Sequence, residues 1–511
     1  MPFRSILFDG SDVGTAIARP EAPDFFTDLR LDKVVASITA GREGYDLTSF
    51  FYAPLKDVET IVYRHEVFRD LEDPALLGYV RAFAQKMQAM RDYLGRAAKV
   101  RYRYEKERWF LDAAEIYCDA VSALSRDLTL AEPRSRGFLA FRDYLATYTA
   151  SSDFTTLLAE TQQVKADLDG ITYRLHIASP RIKVNRYDSE SDYGTEVLAT
   201  FEKFKQGAVK EYRFDFSGWP DMNHVEAAIL DLIARLHPDI FESLDQYCDR
   251  HRAYLDESIG RFDREVQFYV AYLEHIERFR PAGLAFCYPD VTDRSKETHG
   301  RAVFDLALAE MLVHENAPVV TNDFYLKEPE RILVVSGPNQ GGKTTFARTV
   351  GQLHHLSSIG CPVPGIDARL FLVDRIFAHF EREEDLQNLS GKLEDDLLRI
   401  HRILERATSG SLLVMNESFG STTLSDALFL NKEVLQQIIE RDLICVAVTF
   451  LDELASLGAT TVSMVSTVDP EDHVRRTFKI VRRPADGLAY AAAIAQKYRL
   501  TYTSVKGRIA R

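Results

Sequence analysis

Apolar positions recur at helical spacing through the first 290 residues, and beyond them short apolar runs alternate with amphipathic stretches. From Ala75 to about Arg126 the spacing predicts two helices, with Leu76, Val80, Phe83 and Met87 forming an apolar stripe. Glu132-Pro-Arg-Ser-Arg-Gly137 breaks the pattern, and a further helical stretch runs from Phe138 to Leu168. Ile171 to Ala178 and Ile182 to Arg186 alternate as two short strands, a small β insertion near residues 170–215. Past Pro238, a pattern from about Asp239 to Arg280 contains no internal proline until its end. Two readings fit it. One is a single rod of roughly 60 Å, at ~1.5 Å per residue, kinked at Gly260 and serving as a lever; the other is two shorter helices of a bundle.

After residue 290 the pattern changes. Arg331 to Ser336, Ser411 to Met415 and Leu443 to Thr449 are continuous apolar runs of buried-strand length. Helical patterns starting at Thr344, Lys392 and Leu424 separate them, and Leu370 to Phe380 adds strand-like runs. Strands alternating with helices predict an α/β domain with a largely parallel sheet. The expected fold class is a multi-domain chain, mainly α-helical first and α/β with a P-loop second.

Composition changes this picture little. At 511 residues the chain holds more than one domain, and 46% hydrophobic with 27% charged residues is ordinary globular usage. The formal net charge of -14 argues against a surface that coats nucleic acid along its whole length. Five scattered cysteines (Cys118, Cys248, Cys287, Cys361 and Cys445), with no Cys-x-x-Cys pair, fit a reducing compartment. No run approaches the ~20 apolar residues of a membrane span, and no signal-peptide pattern opens the chain, so a cytoplasmic location is expected.

The sharpest chemistry lies at Gly337-Pro338-Asn339-Gln340-Gly341-Gly342-Lys343-Thr344, followed by Thr345. It satisfies the P-loop spacing where a strand ends and a helix begins. Glycines let backbone amides close around phosphate oxygens, and the helix N-terminus favours the anion. Lys343 would reach the β- and γ-phosphates, and the Thr344 hydroxyl would reach Mg²⁺. Leu412 to Glu417 is an apolar strand ending in Asn416-Glu417, the Walker B arrangement, with Glu417 as general base and Asn416 contacting Mg²⁺ through water. A strand end with two solvated residues is the plainer alternative. Ser390-Gly391, just before a helix, can donate to a phosphate, although Ser as a helix cap accounts for it equally.

These residues resemble the MutS family. Gly337 to Thr345 is similar to that family's Gly-Pro-Asn-Met-Gly-Gly-Lys-Ser-Thr loop. Ile359-Gly-Cys-Pro-Val-Pro364, Asp374-Arg-Ile-Phe377, Glu384-Asp-Leu386, Met415-Asn-Glu417 and Ser421-Thr-Thr423 with Asp426 match further family segments. Tyr52 to Asp57 resembles the start of the helical core, and Asp486 to Ala495 resembles a segment near the family's C-terminus. The resemblance implies a MutS-like core and lever over 1–290, and over 291–511 an ABC-like ATPase domain with a C-terminal helical dimerisation segment. It also implies ATP and Mg²⁺ as cofactors and a homodimer. Each nucleotide would lie between one subunit's P-loop and the other's Ser390-Gly391 signature, and ATP would gate a clamp on DNA in mismatch repair or recombination.

Three departures temper that expectation. None of the 31 phenylalanines has Glu two positions later, as the family's mismatch-reading motif requires, so a short divergent member without that domain is expected. Its DNA binding would be structure-specific rather than mismatch-reading. Asn416 stands where the family has Asp, and Val448-Thr-Phe450 where it has Ala-Thr-His. Losing a charge and a donor predicts an ATPase slowed by about 10²–10³. A nucleotide-gated scaffold, or a switch acting on ribosomes or another protein complex with little or no hydrolysis, is the alternative. Basic clusters at Arg96 to Arg108, and at Lys479 to Arg511 with only Asp486 opposing, could touch nucleic acid; solvated helical faces are the competing reading.

Overall fold

The computed structural model describes residues 3–9, 21–178, 181–187, 222–381, 391–469, 475–485 and 506. Contacts divide the chain into two compact units that do not follow chain order. Unit 1 takes residues 1–3, 73–133 and 139–263, and unit 2 takes residues 4–72, 134–138 and 264–511. Among the described residues no helix is long and apolar enough to cross a membrane.

Unit 1 is helical. Helices Pro74–Lys99 and Arg103–Ala131 pair along most of their length, and Leu76, Val80, Phe83 and Met87 are buried as their spacing predicts. Asp73 caps the first helix by accepting from the Ala75 amide, with Pro74 at its first position. The stretch from Phe138 to Leu168 is two helices, Arg136–Thr149 and Ser152–Asp169. The break comes at Ser151, whose hydroxyl accepts from the Phe154 amide and caps the second.

The pattern from Asp239 to Arg280 is likewise two helices, Pro238–Arg250 and Glu257–Glu277, so the unbroken rod is not formed. The kink expected at Gly260 is replaced by a restart at Asp256. Its carboxylate accepts from the amides of Ser258 (2.9 Å) and Ile259 (3.0 Å) and from the Tyr144 hydroxyl (2.8 Å). Satisfying the orphan amides of a new first turn costs less than continuing a helix through this segment.

The two predicted strands are present, β1 (Tyr173–Ala178) and β2 (Arg181–Arg186), and they pair as an antiparallel hairpin with every residue of β1 exposed. Val184 of β2 and Ile171 pack on Ile233, Ala234 and Phe241 of the helices His224–Leu236 and Pro238–Arg250.

Unit 2 contains β3 (Phe286–Cys287), β4 (Asp290–Thr292), β5 (Thr298–Val303), β6 (Asn322–Leu326), β7 (Ile332–Ser336), β8 (Val363–Pro364) and β9 (Asp367–Phe371). It continues with β10 (Ile376–Phe380), β11 (Leu412–Asn416), β12 (Ile444–Val448), β13 (Thr461–Val468) and β14 (Arg476–Arg482). The main sheet has the order β10-β11-β12-β7-β13-β14, parallel except for the last pair. The predicted parallel α/β architecture is present. β7 lies between β12 and β13, which places the loop that follows it at the centre of the sheet's carboxyl edge, where open α/β sheets bind ligands.

The helix that leaves this loop, Lys343–Ser358, is buried on nearly every side. Several of its polar groups are paired inside the core. The Arg348 guanidinium donates to Asp305 (2.8 Å), the Gln352 amide donates to Leu29 O (2.9 Å), and Gln352 accepts from the Leu306 amide (2.8 Å). Leu29 also meets Gly351, where a Cβ would approach its side chain to 2.7 Å. His354 and His355 are core residues, on Val350 O and Phe51 O, and burial pushes both pKa values down to about 4.

Candidate functional site: a phosphate-binding loop and its flanking strands

Gly337, Gln340 and Gly342 all take positive φ, at 113°, 59° and 90°. That turns the chain sharply from β7 into the first turn of Lys343–Ser358. Close approach adds a second reason for glycine. A Cβ on Gly341 would collide with Ser466 Oγ and come within 2.9 Å of Pro338 O, and one on Gly337 would meet Ser466 O at 2.9 Å. Ser466 of β13 supports the loop by donating to Gly341 O at 2.7 Å. From β14, Arg476 Nε donates to Asn339 O at 3.2 Å.

Lys343 is buried and curls back into its own loop. Its Nζ donates to Gly337 O (3.0 Å), Pro338 O (3.2 Å) and Asn339 Oδ1 (3.4 Å). Burial lowers its pKa, while Glu417 nearby opposes that shift. The ammonium also lies over the Phe450 ring, 4.6 Å from the centroid.

The next residue joins the two predicted motifs. Thr344 Oγ1 donates to Asn416 Oδ1 at 2.8 Å, so the first helical turn after the loop meets the end of β11. Glu417 follows in the left-handed region (φ 54°), and its amide donates to Val448 O at 2.9 Å. Phe419 also has positive φ (60°) and is fully buried, which anchors the turn in the core. A bulky residue in this region is strained, and such strain gathers where a side chain must be aimed. Burial raises the Glu417 pKa, with Lys343 opposing the shift. A half-buried carboxylate with a raised pKa suits proton acceptance from water.

The signature segment is only partly described. Gly391 caps helix Lys392–Arg406, whose first turn carries Glu394 and Asp395. Ser390 and the Glu384-Asp-Leu386 segment lie outside the described residues. Asp426 caps helix Leu424–Glu440 reciprocally with Thr423: its amide donates to Thr423 Oγ1 (3.3 Å), and its carboxylate accepts from that hydroxyl (2.8 Å).

The structure thus brings Gly337 to Thr345, Asn416 and Glu417 together, and adds Phe450 to them. Ser466 and Arg476 were missed by sequence reasoning. Both lie on strands recognisable only as short alternating runs, and no motif spacing marks either one. Among the described residues no group of three or more His, Cys, Asp or Glu could hold a metal ion by itself. The Thr344 hydroxyl and Asn416 amide oxygen are neutral donors that fit a hydrated Mg²⁺ already carried on phosphates, not a resident metal.

In the basic stretch Arg96 to Arg108, three of the arginines are packed or paired, while Lys99, Arg101 and Lys106 are exposed. Trp109 meets Tyr93 edge-on and lies under Arg96, Tyr104 packs on Phe241, and Arg103 and Arg108 pair with Glu107 and Asp112. At the C-terminal end only Lys479, Arg482, Arg483 and Lys506 fall among the described residues. Arg482 lies over Tyr325 and pairs with Glu330.

Comparison with known proteins points the same way. The family description "MutS domain V" matches residues 333–497. The endonuclease MutS2 of Thermus thermophilus is 32% identical over 183 residues, covering 35% of this chain and 24% of that protein. The mismatch repair protein MutS of Chlorobium limicola is 25% identical over 340 residues, covering 63% of this chain and 37% of that protein. MSH4 of Arabidopsis thaliana is 30% identical over 170 residues, covering 33% of this chain and 21% of that protein. In each case the match spans well under half of the relative's length. The family match at residues 333–497 contains the loop and β11, and together with several distant relatives it shows homology to the ATPase domain of the MutS family.

Proposed function

We propose that this protein is a MutS-like, DNA-dependent ATPase linked to mismatch repair or recombination, which binds ATP·Mg²⁺ and holds DNA as an ATP-gated homodimeric clamp. The observation that carries the reading is the Thr344–Asn416 hydrogen bond, which joins a complete phosphate-binding loop to a strand end that presents Glu417. Backbone amides of residues 337–345 (Pro338 excepted) would hold the phosphates, with Lys343 leaving its loop carbonyls for the β- and γ-oxygens. Thr344 and Asn416 would hold the metal-bound water, and Mg²⁺ would supply neutralising charge. Glu417 would take the proton of the attacking water. Ser390 and Gly391 of one protomer would complete the nucleotide site of the other. DNA binding is structure-specific in this reading, since no Phe-x-Glu occurs in the chain. A cytoplasmic location fits the five free cysteines.

Hydrolysis is slow on this account, because Asn416 brings no charge and Phe450 no imidazole. The same two side chains favour a second reading, a nucleotide-gated scaffold or a switch on ribosomes or a protein complex, with little or no turnover. Phosphate release from ATP, with and without duplex and branched DNA, separates the two. Turnover that DNA alters, and that Lys343→Ala lowers at least about 100-fold, supports the clamp. Nucleotide binding without turnover supports the switch, and an absence of nucleotide binding overturns both.

A further inference from the structure

The Lys343 ammonium has three N–H bonds, and its own loop supplies three neutral acceptors for them. Lys343 makes no ion pair among the described residues. The remaining side of the ammonium is covered by the Phe450 ring, 4.6 Å from its centroid. Apolar burial does not explain where that ring sits, since Phe450 is 52% exposed. The backbone puts it there. The Thr449 amide donates to Val335 O at 3.0 Å, which ties the end of β12 to β7, and the Leu451 amide donates to Thr449 Oγ1 at 3.0 Å. Leu451 is seated in the hydrophobic core, so the residues on both sides of Phe450 are fixed. An aromatic face is thereby held at the loop mouth against the one cation that must move.

We propose that Phe450 is a positioning residue for Lys343: its ring holds the ammonium among its loop acceptors, and a nucleoside triphosphate binds only by drawing Nζ off that ring. This rests on the reading of the loop as a triphosphate site. The contact favours the ammonium position on the ring and lowers the apparent triphosphate affinity by the same factor. Ligands with phosphates at the β and γ positions meet this opposition; a monophosphate does not.

Nucleotide titrations and acetylation of Lys343 by acetic anhydride, followed by peptide mass spectrometry, test the proposal on the full chain. Phe450→Leu keeps an apolar side chain without a π face, and Phe450→Tyr keeps the ring. We expect Phe450→Leu to bind ATP about 2- to 30-fold more tightly than the unaltered chain, with AMP affinity unchanged and Phe450→Tyr close to the parent. Lys343 in nucleotide-free Phe450→Leu should acetylate several-fold faster, because the ring no longer stabilises the ammonium. Equal or weaker ATP binding in Phe450→Leu, or an unchanged acetylation rate, overturns the proposal. If neither parent nor variant binds ATP, the triphosphate reading fails, and the acetylation rate alone decides whether Phe450 positions Lys343.

Discussion

Both units bury a carboxylate against an arginine, and they differ in the imidazoles that only one of them sinks into its core. In unit 1, Asp263 is buried against Arg91, and burial pushes its carboxyl up to about 6. Its other buried polar tips are largely hydroxyls facing one another, Tyr117 against Tyr148 and Thr161 against Tyr247. Unit 2 buries imidazoles. Burial pushes His65 down to about 3, and His275, His354 and His355 down to about 4. Two of these belong to the helix that begins at Lys343. Burial keeps each of these imidazoles neutral in the folded chain, and acid sensitivity follows from that.

The signs can be worked out. An unfolded histidine titrates near 6.5, so between that value and about 4 the unfolded chain binds protons that folded unit 2 refuses. Stability of unit 2 is full above pH 6.5 and is lost as pH falls towards 4, by up to about 1.4 kcal/mol per pH unit for each histidine. Asp263 has the reverse sign: its contribution is present below its unfolded value of 3.8 and lost as pH rises through about 6. Hydrogen exchange at pH 7.5 and 5.0, corrected for intrinsic rates, should therefore show several kcal/mol of lost protection in peptides from Lys343–Ser358. Peptides from Arg103–Ala131 should lose far less. Equal losses in both would break the comparison.

That contrast was only partly legible in the sequence. The continuous apolar runs of β7, β11 and β12 read directly as buried strands, because a strand covered on both faces has no polar side to display. The loop was legible for a related reason, since its glycines are forced by geometry wherever phosphate-binding turns occur. The depth of the histidines in unit 2 was not legible, because burial depends on the neighbours that residues 21–72 supply. The break at Ser151 was missed although it carries an ordinary cap residue, because the apolar pattern runs on across it; between Asp239 and Arg280 the two-helix reading stood beside the rod, and the pattern alone did not choose it. Ser466 and Arg476 had no signal at all. They reach the loop only through the pairing of β7 with β13 and of β13 with β14, which spacing along the chain does not encode.

A sharper probe of unit 2 is Asn416→Asp. A carboxylate there still accepts from the Thr344 hydroxyl, so the joint between loop and β11 survives, while the position gains the charge that the proposed Mg²⁺ site lacks. Turnover should rise about 10- to 100-fold, up to roughly 2.7 kcal/mol of transition-state stabilisation, with ATP affinity changed much less. Single-turnover phosphate release measures this directly. No gain would place the limit elsewhere, with Phe450 as the next residue to change.

The smallest effect expected lies in unit 1. Every residue of β1 is exposed, including Leu175 and Ile177, and Arg181 and Lys183 are exposed on β2. A hairpin that shows water apolar and basic side chains together gains little from its own core, so its composition suits a surface that meets a polyanion. Replacing Arg181 and Lys183 by alanine should weaken DNA binding by about 3- to 10-fold near 0.1 M salt. It should also reduce the slope of log affinity against log salt by about 2, one for each phosphate contact removed. DNA-free turnover should not change, because the loop, β11 and Glu417 all belong to unit 2. A loss of affinity with an unchanged salt slope would mean that the hairpin acts through shape or packing. Unchanged DNA binding would move the contact to another basic surface, and the two units would then differ in chemistry without dividing the labour between nucleotide and DNA.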